Sequence, residues 1–137
     1  MAEGPWFLQK LASDVVMEGA FLNGSRRGPE AVTQLVEAVV GVLHGYAPVF
    51  EIEAGDRRVQ EYTATVDGQP VKGVATFRLT EDGLVDEFVV NHRPLSAALT
   101  ISRLVGEALG QQDDEFYRPT NQTYDDLVTF SFNQGDN

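Results

Sequence analysis

Three glycine-bearing separators, Ala54-Gly55-Asp56, Asp67-Gly68-Gln69 and Glu81-Asp82-Gly83, divide the middle of this chain into four β-rich runs. The runs are Tyr46–Glu53, Arg57–Val66, Val71–Thr80 and Leu84–Asn91. Links this short permit only antiparallel neighbours, because a parallel crossover takes about a dozen residues or more. A four-stranded meander is expected, and its apolar face needs cover.

Segments on either side supply that cover. Pro29 suits the first position of a helix, Glu30 opposes the positive end of its dipole, and Val32, Leu35, Val36, Val39, Val42 and Leu43 form one apolar stripe. A last helix is expected from Pro94 to Gly110, with Leu95, Leu99, Ser102, Val105 and Leu109 near one face. Upstream, Pro5–Ala12 reads as a short apolar helix, Asp14–Leu22 as a strand, and Asn23–Gly28 as a turn cluster. The expected fold class is α+β, a cone-shaped curved antiparallel sheet with helices packed on its concave face.

A chain of 137 residues supports one compact core. The expected domain is residues 1–110, followed by an acidic C-terminal tail, 111–137. That tail holds six acids against Arg118 and has no helical period. Its residues Tyr124, Leu127, Phe130 and Phe132 either dock as an edge strand or stay loose. Over the whole chain 10 basic residues face 21 acidic ones, a net charge of −11. Such a surface repels phosphate, so neither nucleic acid nor an anionic membrane is an expected partner. The absence of cysteine excludes disulfides and thiolate chemistry and suits the cytoplasm. Met1–Lys10 has no signal-peptide pattern, no apolar run reaches the roughly 20 residues of a membrane span, and Asn121-Gln122-Thr123 is read as a chance glycosylation match.

The stretch Leu11-Ala12-Ser13-Asp14-Val15-Val16-Met17-Glu18-Gly19, with Arg26-Arg27-Gly28-Pro29-Glu30-Ala31-Val32, resembles the nuclear-transport-factor-two-like superfamily. Glu81-Asp82-Gly83-Leu84-Val85-Asp86-Glu87-Phe88 and His92-Arg93-Pro94-Leu95-Ser96 add to the likeness, which spans residues 6 to 110. The superfamily includes ketosteroid isomerases, SnoaL-like polyketide cyclases, scytalone dehydratases and limonene epoxide hydrolases. The resemblance implies a cone with an interior pocket and a homodimer formed through the sheet. Its chemistry does not transfer. The two acids of ketosteroid isomerases fall on Gly19 and Ala75, and the Arg-x-Asp pair of the epoxide hydrolases falls on Tyr62 and Ala64, with their third acid near Arg93.

With Gly19, Tyr62 and Ala75 taken as inward, alternation places Val15, Met17, Phe21, Gln60, Ala64, Val66, Gly73, Phe77 and Leu79 on the inner face. The same count puts Val85, Glu87, Val89, Asn91 and Arg93 there from the last strand. Small residues at 19, 64, 73 and 75 either leave room for an apolar or aromatic ligand or are covered by Trp6, Phe7 and the last helix as ordinary core. The expected ligand contacts are Met17, Phe21, Phe77, Val89 and Asn91. The expected catalytic set is Glu87 as a base whose pKa an apolar wall would raise, with Tyr62 and Arg93 stabilising developing charge. Alternatively, Glu87 pairs with Arg93 as a structural bridge, or faces solvent or a dimer interface beside Asp86. His44 and His92 lack metal-ligand spacing, and His92 reads as a surface residue near the pocket mouth. Arg26 and Arg27 either capture an anion at the helix start or offset the acidic surface. No phosphate loop, nucleophile elbow or dinucleotide fingerprint is present. The expectation is a small-molecule-binding domain without metal or cofactor, in catalytic form an isomerase, cyclase or dehydratase. The alternative is a non-catalytic dimeric ligand-binding or accessory protein.

Overall fold

In the computed structural model residues 4–110 and 115–117 are described. A 3-10 turn, Trp6–Gln9, leads into β1 (Leu11–Gly19), then β2 (Arg26–Arg27), α1 (Pro29–Val42), β3 (His44–Ala54), β4 (Arg57–Val66), β5 (Gln69–Leu79), β6 (Val85–Arg93) and α2 (Leu95–Leu109). The turn chemistry accounts for the meander. Asp67 and Gly68 both have positive φ, 50° and 78°, as the tightest two-residue hairpins require. Pro29 opens α1 as expected, and Gly110, with φ 68° and ψ 22°, ends α2 in the left-handed conformation.

All six strands join one sheet in the order β2-β1-β6-β5-β4-β3. From β3 to β6 the neighbours are antiparallel, while β1 lies parallel to β6. The sheet is therefore mixed. The parallel pair is possible because α1 and the whole meander intervene between its two strands, far more chain than a crossover needs. Apolar side chains of α1 (Val32, Leu35, Val36, Val39) and of α2 (Ala97, Ile101, Val105) meet Val15, Met17, Val66, Val71 and Phe77 in one core on the concave face. The class is α+β, with the helices inside the curve of the sheet.

One irregularity decides which way β6 faces. Arg78 pairs with Glu87 but Leu79 pairs with Val85, so Asp86 is an extra residue on β6, a β-bulge. Val85 is buried; beyond the bulge the buried residues are Phe88, Val90 and His92. The odd-numbered set, Glu87, Val89, Asn91 and Arg93, faces outward, opposite to the expectation, because one inserted residue reverses every later side chain. On the outer face Arg78 Nε holds Asp86 Oδ1 at 2.8 Å and Arg57 holds Glu87 Oε1 at 3.1 Å.

Residues 115–117 seat against the domain. The Asn23 amide donates to the Glu115 carbonyl at 2.7 Å, the Tyr117 amide to Ser102 Oγ at 2.7 Å, and Arg26 Nε to the Glu115 carboxylate at 2.7 Å. Phe116 lies over Gly106, where a Cβ would come within 3.1 Å of it. Arg26 is thus paired with Glu115 and lies over the Phe116 ring. The remaining tail residues, Tyr124, Leu127, Phe130 and Phe132 among them, lie outside the described residues.

Candidate functional site

The strand register lays three rows across the concave face of β4, β5 and β6. They are Arg58–Phe77–Phe88, Gln60–Ala75–Val90 and Tyr62–Gly73–His92. In the middle row Ala75 is too small to reach the helices, and a cavity of about 430 Å³ opens above it. Val36, Val39, Val40 and Leu43 of the α1 region roof this space, and Met17 closes it from β1. Phe77 and Phe88 form one end, capped by Trp6 at 5.3 Å from Phe77 and by Phe7 at 4.7 Å from Phe88 (ring centroids). Arg58 lies over the Trp6 ring at 4.8 Å. Core packing therefore does not fill the interior, although Trp6 and Phe7 do cover one end of it.

Polar groups gather at the other end. The Tyr62 ring lies across Gly73, and its hydroxyl sits 2.5 Å from Nε2 of His92. From β3, Tyr46 places its ring 5.0 Å from that of Tyr62, and its hydroxyl accepts a hydrogen bond from Gln60 Nε2 at 2.7 Å. Among the described lining residues, Tyr46, Gln60 and Tyr62 carry hydroxyl or amide groups, and the indole N–H of Trp6 is the other polar side-chain group. Burial, reinforced by Tyr46 nearby, holds the Tyr62 hydroxyl well above the usual tyrosine range, so it stays protonated. Burial also lowers His92 to about 4, which leaves a neutral imidazole at pH 7. The end of the cavity is therefore uncharged. It can give and take hydrogen bonds without holding an ion.

Of the residues expected from sequence, Tyr62, Met17 and Phe77 line this cavity. Phe21 is buried beside His92, ring centroids 6.4 Å apart, behind the cavity wall. Glu87, Val89, Asn91 and Arg93 stand on the opposite face of the sheet, for the reason the bulge gives. Glu87 bridges to Arg57 rather than Arg93, Asn91 Oδ1 accepts from the Ala20 amide at 3.0 Å, and Arg93 borders a shallow groove with Lys72 and Pro94. None of these four reaches the cavity, so Glu87 does not serve as a base in it. His92, read from sequence as a surface residue, takes that inward place. A signal for it was present: Phe88, Val90 and His92 are the less polar alternate set, whereas three of the four odd positions carry charge or amide. Among the described residues no three His, Asp or Glu side chains are grouped to hold a metal ion, and no helix is long and apolar enough to cross a membrane.

An open cone of mixed sheet, two helices in its curve and an apolar pocket between them define the cystatin-like, nuclear-transport-factor-two-like fold, and this chain has it. It is similar to the crystal structure of a steroid delta-isomerase from Pseudomonas aeruginosa, with a TM-score of 0.72 and 24% identity over 75% of this chain and 77% of that one. An uncharacterised cystatin-like protein from Silicibacter pomeroyi gives a TM-score of 0.73 and 20% identity over 76% and 74%. A candidate SnoaL-like polyketide cyclase from Jannaschia gives 0.58 and 17% identity over 70% and 76%. No protein-family model matches the sequence, and no curated protein is similar to it.

Proposed function

We propose that this chain is a small-molecule-binding domain whose cavity takes an apolar or aromatic ligand, oriented at one end by Tyr62, Tyr46 and Gln60. The observation that carries the reading is the cavity itself, about 430 Å³, largely apolar with the hydroxyls of Tyr46 and Tyr62 and the amide of Gln60 among its lining groups. That is the composition of a pocket in which apolar area supplies affinity and a few polar atoms set orientation. A catalytic form of the reading, a cofactor-free isomerase, cyclase or dehydratase, rests on Tyr62 and His92, since no carboxylate lines the cavity among the described residues. The fold shared with a steroid delta-isomerase and a candidate polyketide cyclase makes steroids and polyketide-like aromatics the first compounds to try. The domain works as a homodimer through the outer face of the sheet, where Ile52, Val59, Thr76 and Val89 form a cross-strand row with Ile52 56% exposed. Its cysteine-free composition fits the cytoplasm.

Thermal unfolding in the presence of steroids, aromatic ketones and apolar acids tests the binding reading. A ligand at a hundred times its Kd stabilises the folded state by about 2.7 kcal/mol, which raises the Tm by several degrees. Ala75→Phe, which fills the floor of the cavity, is expected to abolish that rise while remaining folded. Stabilisation that persists in Ala75→Phe would place the ligand elsewhere, and turnover assays on the same compounds separate binding from catalysis.

A further inference from the structure

Gly73 is the reason Tyr62 and His92 meet. The two side chains flank it on neighbouring strands, and with no side chain between them the Tyr62 ring lies flat across β5. A Cβ at position 73 would fall within the ring itself, against Cζ, the hydroxyl and Cε1.

The hydrogen bond in this pair has a direction, and it decides what the cavity can bind. A neutral imidazole carries one N–H and one lone pair. Tyr62 is the polar partner of His92 among the described residues, and Nδ1 is buried without one. With the proton on Nδ1, a donor would be buried unpaired and the Tyr62 proton would be spent on Nε2. With the proton on Nε2 only a lone pair goes unused, and buried acceptors are left unpaired more readily than buried N–H groups. Tyr62 oxygen then accepts from His92 and keeps its own proton for the cavity. Tyr46 repeats the arrangement, its oxygen accepting from Gln60 Nε2 at 2.7 Å. Each phenol oxygen thus accepts one hydrogen bond, and a hydrogen bond accepted by a hydroxyl strengthens the one it donates.

Resting on the reading of the cavity as a small-molecule site, we propose that Tyr62 and Tyr46 are paired donors for one oxygen of the ligand, with His92 the positioning residue that turns the Tyr62 proton toward it. The ligand class is an apolar body bearing a carbonyl oxygen. A polar end made of N–H groups or an ammonium finds no matching acceptor at Tyr62.

Ring-nitrogen NMR of the full chain without ligand reads the His92 tautomer directly. Protonation at Nε2 is expected, and protonation at Nδ1 overturns the role given to His92 whatever the ligand proves to be. Acetylnaphthalene and ethylnaphthalene then serve as probes of matched shape, with and without the oxygen. The ketone is expected to bind about tenfold more tightly, the worth of one good hydrogen bond. That preference disappears when Tyr46→Phe is added to Tyr62→Phe, and shrinks in Tyr62→Phe alone and in His92→Phe. His92→Gln restores it, since its amide N–H can stand where Nε2 stands. Isotope-edited infrared spectra are expected to show the bound ketone's carbonyl stretch lowered in the wild-type protein, less so in Tyr62→Phe, and unshifted when Tyr46→Phe is added. Equal affinity for the two probes, or a bound carbonyl that is not shifted, overturns the donor site. If neither probe binds, the cavity reading and the ligand half of the proposal fall together, while the tautomer still decides the His92 half.

Discussion

Gly73 and His92 carry consequences that can be measured without knowing the ligand. Gly73→Ala forces the Tyr62 ring off the sheet, because the new methyl would occupy the ring's own space. Overpacking of this kind costs about 1–3 kcal/mol, read as a shift in urea midpoint. Adding Tyr62→Ala to Gly73→Ala should cost less than the sum of the two single changes, since the clash disappears with the ring. For His92 the sign follows from its folded pKa of about 4 against 6.5 for the free side chain. Between those values the unfolded chain binds a proton that the folded chain refuses. Stability is therefore complete above pH 6.5, falls as the pH drops toward 4, and loses nothing further from this group below that. The whole loss is about 3 kcal/mol. Urea unfolding across that range should show a shallower decline for His92→Phe than for the wild-type protein, and parallel curves would contradict a buried neutral His92.

At the level of the elements, the bulge at Asp86 determines which residues form the site. Val85 and Phe88 both face the core although three positions separate them, an odd spacing that a regular strand does not allow. Deleting Asp86 restores strict alternation and keeps Val85, Phe88, Val90 and His92 inward and Glu87 outward, since the residue removed is the extra one. Retention of the folded state by circular dichroism, at the small cost of the part-exposed Arg78–Asp86 ion pair, is the expected result, and loss of the fold would contradict Asp86 as the inserted residue. Most of the elements were legible in the sequence. The hairpin separators, the proline at the start of α1 and the glycine ending α2 act through local backbone geometry, and each appears where the residues put it. The inward sets of β4 and β5 follow simple alternation, which is why Tyr62, Ala75 and Phe77 were found. The β6 set was misplaced because a bulge is fixed by its neighbours: Arg78 grips Asp86 across the β5–β6 hairpin, and Arg57, thirty residues away on β4, grips Glu87.

For the whole molecule, the outer face of the sheet sets the next test. The row Ile52–Val59–Thr76–Val89 presents apolar side chains to solvent in a single chain. Val59→Glu at its centre should leave the monomer folded and abolish the proposed dimer, as measured by light scattering. Added salt should tighten association in the wild-type protein, since two copies of net charge −11 repel. The sequence by itself determined the class of fold, the meander, the extents of the helices and half of the cavity wall, because turn residues and hydrophobic period act within a few positions of the chain. Only the tertiary structure decided that β1 runs parallel to β6, that Glu87 is outside and His92 inside, and that Gly73 brings Tyr62 and His92 together. Those depend on register between distant strands, and a shift of one residue there changes the face of every side chain beyond it.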